Sequence, residues 1–161
     1  MDNLSRFSPL QLLALHAQVS DELRARGITR SSNNPTGDLA EYLFCRAFGW
    51  TQSGNSNANI DAIGPDQKRY QIKGRRLTRH NKSRQLSALR DLHGAHFDFL
   101  AGVLFNENYG VMRAAIIPYS VALERASFVE RTNSHKLFLR DDVWEAPGVK
   151  DVTAELKAIT L

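Results

Sequence analysis

The stretch Asn59-Ile60-Asp61-Ala62-Ile63-Gly64-Pro65-Asp66-Gln67-Lys68-Arg69-Tyr70-Gln71-Ile72-Lys73 reads as two short strands around a turn. Residues 59–64 and 69–73 alternate at period two, and Gly64-Pro65-Asp66-Gln67 has turn composition, which together predict a β-hairpin. Successive side chains of a strand point to opposite faces. Tyr70 and Ile72 suit a core, so Arg69, Gln71 and Lys73 take the other face. In the partner strand Ile60 and Ala62 share the core face, which sends Asp61 away from it. Opposed strand positions lie about 4.5–5.5 Å apart at Cβ. The hairpin is therefore expected to gather Asp61, Gln71 and Lys73 into one polar cluster. Asp66, only four residues before Gln71, belongs to the turn.

Upstream, two helices are expected. Ser8-Pro9 supplies a hydroxyl N-cap and a proline at the first helical position. Leu12, Leu13, Leu15, His16, Val19 and Leu23 then recur at helical spacing until Gly27. After a polar connector, a second helix runs from Thr36 to Phe48-Gly49, with Leu39, Ala40, Leu43, Phe44, Ala47 and Phe48 as its buried stripe. Asp38, Glu41 and Cys45 lie along its margin. Residues 51–59 read as a loop. Downstream of the hairpin the pattern predicts a helix over 83–93, a doubly buried strand over 97–105, a strand over 111–117 and a helix from 118 to 126. A strand over 136–139 and a closing helix over 149–159 complete the order. The reading is a single α/β domain with a mixed sheet flanked by helices. Residues 1–35 form an N-terminal helix and connector, 36–120 a core and 121–161 a C-terminal extension.

The chain has 161 residues, 42% of them hydrophobic and 24% charged, which excludes a disordered or collagen-like polymer. Its single cysteine, Cys45, excludes an intrachain disulfide and a thiolate-rich zinc site, and reads as a small packing residue in a protein of the reducing cytoplasm. The longest strongly apolar run, residues 99–105, falls far short of the ~20 residues that span a bilayer, so no membrane association is expected. The net charge of +4 is modest, but its distribution is uneven. Lys68, Arg69, Lys73, Arg75, Arg76, Arg79, Lys82 and Arg84 fall between residues 67 and 84 with no acid after Asp66. Such a block is either a solvated basic face or a phosphate-binding surface.

A carboxylate, an amide oxygen and a backbone carbonyl are hard ligands, which suit Mg²⁺ or Mn²⁺ better than zinc. Asp61 with Lys73 on a sheet face is equally the pattern of a plain ion pair. The run Asn59-Ile60-Asp61-Ala62-Ile63-Gly64 followed by Tyr70-Gln71-Ile72-Lys73 resembles the active-site hairpin of the PD-(D/E)xK superfamily of restriction-endonuclease-like nucleases. The Gln-x-Lys form is similar to Mrr-type restriction endonucleases. Gly37-Asp38-Leu39-Ala40-Glu41 resembles the helix that precedes the hairpin in that family. The resemblance implies a metal-dependent endonuclease hydrolysing phosphodiester bonds in DNA, with RNA as a further substrate class. By this likeness Asp61 is the principal metal ligand and Glu41 a second carboxylate. Gln71 stands where an acid is usual, the Ile72 carbonyl completes the set, and Lys73 positions the attacking water. Arg75, Arg76, Arg79, Lys82 and Arg84 are the expected nucleic-acid contacts, and a homodimer would serve two-strand cutting. Gln71 is neutral, so the alternative is a catalytically inactive nucleic-acid-binding protein that keeps the fold.

Overall fold

Gly49, at φ 64°, ends the helix that carries Glu41, because the left-handed conformation closes a helix without the strain a Cβ would meet. That helix, α2 (Thr36–Phe48), follows α1 (Pro9–Ala25) in a computed structural model that describes residues 3–31, 33–54 and 59–161. Ser8 and Gln11 form the expected capping box on α1. No residue of α1 is buried, and Leu10 is 76% exposed. The apolar stripe of α2 behaves differently: Leu39, Ala40, Leu43 and Phe44 are all buried.

A six-stranded mixed sheet receives that stripe. Its strands are β1 (Thr51–Gln52), β2 (Ala62–Ile63), β3 (Arg69–Arg76), β4 (Phe99–Phe105), β5 (Val111–Pro118) and β8 (Lys150–Asp151), in that spatial order. Only β3 and β4 pair in parallel; the other neighbours are antiparallel. On one face α2 and α4 (Thr153–Lys157) pack over Tyr70, Ile72, Ala101, Val103, Phe105 and Ile116. Phe44, Trp50, Tyr70 and Phe99 form a continuous stack of rings there, with Trp50 and Tyr70 only 3.6 Å apart at their centroids. The other face carries Leu100, Leu104, Ala115 and Ile117, covered by α3 (Tyr119–Arg125) and by irregular chain holding Leu86, Leu89, Leu92, Leu137 and Leu139. A small ribbon of β6 (Ser127–Val129) and β7 (Ser134–Lys136) stands beside it.

Several expected elements differ. The helix predicted over 83–93 is absent. Leu86, Leu89 and Leu92 recur every three residues and imitate a helical stripe, but this segment instead forms an irregular ribbon with residues 135–139. Leu86 N donates to Leu137 O, Leu139 N to Arg84 O, and Leu89 and His135 exchange both backbone bonds. Only Leu92–Gly94 coils, as a 3-10 turn. The strand over 136–139 lies earlier, at Ser134–Lys136, with Phe138 left in an isolated bridge to Gln85. The closing helix over 149–159 divides into β8 and the short α4, since Ala114 O binds Val152 N and Thr153 caps the strand edge at Ala114 N. The first hairpin strand, expected over 59–64, shortens to Ala62–Ile63, and the second lengthens to Arg76. The loop expected over 51–59 begins with β1, and its residues 55–58 lie outside the described residues.

One ion pair ties β3 to the start of β4. Asp98 accepts from the backbone and side chain of Arg69, and the Arg69 hydrogen bonds hold its carboxyl below the usual aspartate range. A depressed pKa stabilises the fold above the unfolded aspartate value of about 3.9, and that stabilisation is lost as pH falls through the folded value. The Arg69 and Asp98 side chains are 41% and 32% exposed, so the contribution is at most about 1 kcal/mol. Urea unfolding is expected to show Asp98→Asn less stable than the parent at pH 7 and the gap closing as the pH falls below the unfolded aspartate value. A gap unchanged by acid would show that the charge on Asp98 is not what stabilises.

Candidate active site

The hairpin register sets the site. Ala62 opposes Tyr70 and Ile63 opposes Arg69, after which β2 ends while β3 continues to Arg76. Asp61 therefore stands at the point where the two strands part, next to Gln71. Its backbone N–H still reaches Tyr70 O at 2.8 Å, but its carboxylate turns back and accepts the Ile72 N–H at 2.6 Å. A strand residue sends its N–H and C=O to the same side. The Ile72 carbonyl thus faces the open edge beyond β2, not β4.

Lys73 comes to the same carboxylate, its Nζ 3.8 Å from Asp61 Oδ2. Both side chains are shielded but not sealed, at 19% and 18% exposure. Glu41 arrives from α2. Together with Ile72, Lys73, Gly74, Arg75 and Ser87 it lines a cleft of about 320 Å³. Burial raises the Glu41 pKa, and the negative charge of Asp61 adds to the rise; a hydrogen bond from Gln52 and the charge of Arg30 oppose it. The same burial, with Glu41 nearby, pushes the Cys45 thiol up to about 11, which leaves it a packing residue and no nucleophile at neutral pH.

Gln71 shares the Lys73 side of β3, as the alternation required, yet it is only 3% exposed. The reason is the second core: Gln71 pairs with Leu100, whose face is covered by the Leu86–Leu92 segment and Leu139. Burial leaves its Oε1 without a hydrogen-bond partner among the described residues. An orphaned buried acceptor of this kind costs about 1–3 kcal/mol, a cost that an ordered water or a bound ion removes. Among the described residues no three His, Cys, Asp or Glu side chains are grouped to hold a metal. The candidate donors are the Glu41 and Asp61 carboxylates, the Ile72 carbonyl and the Gln71 amide oxygen, of which Glu41 and Ile72 line the cleft. Their all-oxygen chemistry and the unpartnered amide fit a hard divalent cation.

The basic block divides. Arg76 is committed to structure: it donates to Glu107 O at 3.0 and 2.7 Å and lies over the Tyr109 ring at 4.5 Å. Arg84 is paired with Asp141 at 2.7 Å. Arg75 donates to Ser83 O, which turns its guanidinium along the cleft wall. Arg79 and Lys82 line a second, shallower cleft of about 430 Å³ with Thr78 and Asn106. Asp66 accepts Lys68 N–H and shapes the turn. His96 pairs with Asp91, while His93 meets the buried His135 edge-on at 4.9 Å, so these histidines do not converge on the cleft. Trp144 packs beneath Arg113.

Sequence patterns gave no cue to Arg30 and Gln52, and placed Asp38 on the α2 margin without a role. Arg30, in the connector before α2, contacts Glu41 and donates to Ser53 O. Gln52, on β1, donates to Glu41 Oε2 at 2.7 Å. Asp38 accepts the Arg30 and Ser31 backbone N–H groups and so fixes the connector. Their importance depends on tertiary approach, which no local spacing encodes. No helix among the described residues is long and apolar enough to cross a membrane. No protein-family model matches the chain, and no curated protein matches it.

Proposed function

We propose that the protein is a metal-dependent nuclease of the PD-(D/E)xK kind, with a Glu41/Asp61/Gln71-x-Lys73 site that hydrolyses phosphodiester bonds in DNA. The observation that carries this reading is the approach of Lys73 to Asp61 where β2 and β3 part, with Asp61 held by the Ile72 N–H and Glu41 lining the same cleft as Lys73.

Asp61, Glu41, Gln71 and the Ile72 carbonyl would hold Mg²⁺ or Mn²⁺, which would neutralise charge on the substrate phosphate. Asp61 contributes the fixed carboxylate, oriented by the Ile72 N–H. Lys73 holds a water by hydrogen bonding and offsets the negative charge that develops on the phosphate. Most of the rate comes from positioning and electrostatics, as phosphoryl transfer requires. Lys82, Arg79 and Arg75 are the block's best candidates for backbone phosphates; Arg76 and Arg84 contribute through the groups they already hold. One such site cuts one strand, so duplex cleavage calls for a second copy of the chain.

The test is incubation with supercoiled, linear and branched DNA, and with RNA, in Mg²⁺, in Mn²⁺ and in chelator. Metal-dependent cuts support the reading. Salt-sensitive binding with no cutting in either metal would favour the inactive-binder alternative that the neutral Gln71 keeps open. Gln71→Glu adds a negative charge beside the donor set and is expected to tighten Mn²⁺ binding about tenfold by calorimetry, the effect of a nearby opposite charge in a shielded site. Unchanged affinity would remove Gln71 from the proposed ligands.

A further inference from the structure

Glu41 presents its two carboxylate oxygens unequally. Oε2 receives both the Arg30 guanidinium and the Gln52 amide, whereas Oε1 has no hydrogen-bond partner among the described residues. Two donors on one oxygen lock the carboxylate's rotation and leave the other oxygen for the cleft. Arg30 also reaches across to Ser53 O at 3.3 Å, and Ser53 N–H in turn donates to Asp61 O at 2.9 Å. The Arg30 backbone N–H is held by Asp38 of α2 at 2.9 Å. One side chain therefore links the helix that bears Glu41 to Ser53, just after β1, whose backbone N–H in turn holds Asp61 O. From this we infer that Arg30 is a positioning residue for the carboxylate pair: it sets the separation of Glu41 from Asp61 and, with Gln52, aims Glu41 Oε1 at the metal site. This inference rests on the nuclease reading.

Electrostatics and positioning make opposite claims about Arg30. A cation near a cation site weakens metal binding, so if charge alone mattered its removal would tighten the site. Hydrogen-bond partners that orient a ligating group act the other way, and their loss typically weakens metal affinity 10–100-fold. The fork of Arg30 matters as well as its charge, because it serves Glu41 and Ser53 at once and a single ammonium does not.

Mn²⁺ binding to the full chain, followed by calorimetry and by water-proton relaxation without DNA, separates these outcomes. Arg30→Gln is expected to weaken Mn²⁺ binding about tenfold while its melting temperature stays near the parent's. Arg30→Lys should recover only part of the loss, and in a Glu41→Gln background Arg30→Gln should have no further effect. Gln52→Leu, which leaves the Arg30 bridge in place, should weaken binding in the same direction and carries the test should Arg30→Gln melt early. Equal or tighter binding by Arg30→Gln and Gln52→Leu overturns the inference and leaves the nuclease reading standing. A parent protein that binds Mn²⁺ no better than Asp61→Asn overturns both.

Discussion

Lys73→Ala and Asp61→Asn are each expected to lower metal-dependent DNA cutting by about 10³-fold, and for different reasons. Asn at 61 keeps an oxygen that accepts the Ile72 N–H, so the parting of β2 and β3 survives. What it removes is the formal charge, and Mn²⁺ binding should disappear with the activity. Lys73→Ala leaves both carboxylates and the Ile72 carbonyl in place. Metal affinity should then persist or rise, because a cation 3.8 Å from Asp61 Oδ2 is gone, while cutting is lost. This split between binding and turnover is the diagnostic result. It is read from calorimetry beside a plasmid-nicking time course, on variants whose melting temperatures match the parent. Cutting that survives both substitutions, or that persists in chelator, would assign the activity elsewhere. Loss of metal binding in Lys73→Ala would mean that the lysine orders the cluster and does not serve the substrate.

Much of this arrangement is legible in the chain because it depends on short-range rules. Ser8-Pro9 and Gly49 mark helix ends by backbone chemistry that neighbouring elements do not alter. Period-two alternation at Tyr70 and Ile72 correctly sends Lys73 to the side opposite the aromatic stack. The α/β class and the mixed sheet follow from the same periodicities. Where reading fails, a distant partner decides. Leu86, Leu89 and Leu92 fit a helical stripe, yet the backbone bonds of Leu86 and Leu89 go to Leu137 and His135, about fifty positions later in the chain. Alternation gave the side of Gln71 but not its burial, because the cover on that face comes from this same ribbon. The block of arginines reads as one positive surface, but Arg76 and Arg84 are drawn off by Glu107 O and Asp141. Arg30 carries no pattern at all. Its role exists only once the connector is folded against β1 and α2.

Gly74→Ala should damage both the fold and the site, since one contact governs both. A Cβ on Gly74 would lie 2.8 Å from Thr36 O, 3.0 Å from Ala40 Cβ and 3.2 Å from Phe105 Cε2. The nearest neighbour is backbone and cannot swing aside, so α2 must lift from β3. Overpacking of this kind costs about 1–3 kcal/mol, read as a lowered urea midpoint with an unchanged slope. Glu41 follows Ala40 on the lifted helix and Lys73 precedes Gly74 on the strand, so the same shift widens the cleft between them. Misplacement by about 1 Å can cost 10²-fold in rate, and cutting should fall by about that factor under conditions where the variant is still fully folded. Gly37→Ala is the matched control. It lies in the first turn of the same helix with nothing within 4 Å of its Cβ position, and there alanine should stabilise by about 0.5–1 kcal/mol. Opposite signs from these two glycine-to-alanine changes, one where β3 meets α2 and one on the open side of α2, would trace the effect to the approach of α2. If Gly74→Ala proves as stable and as active as the parent, α2 does not need that approach, and the link drawn from helix packing to the Glu41–Lys73 spacing fails.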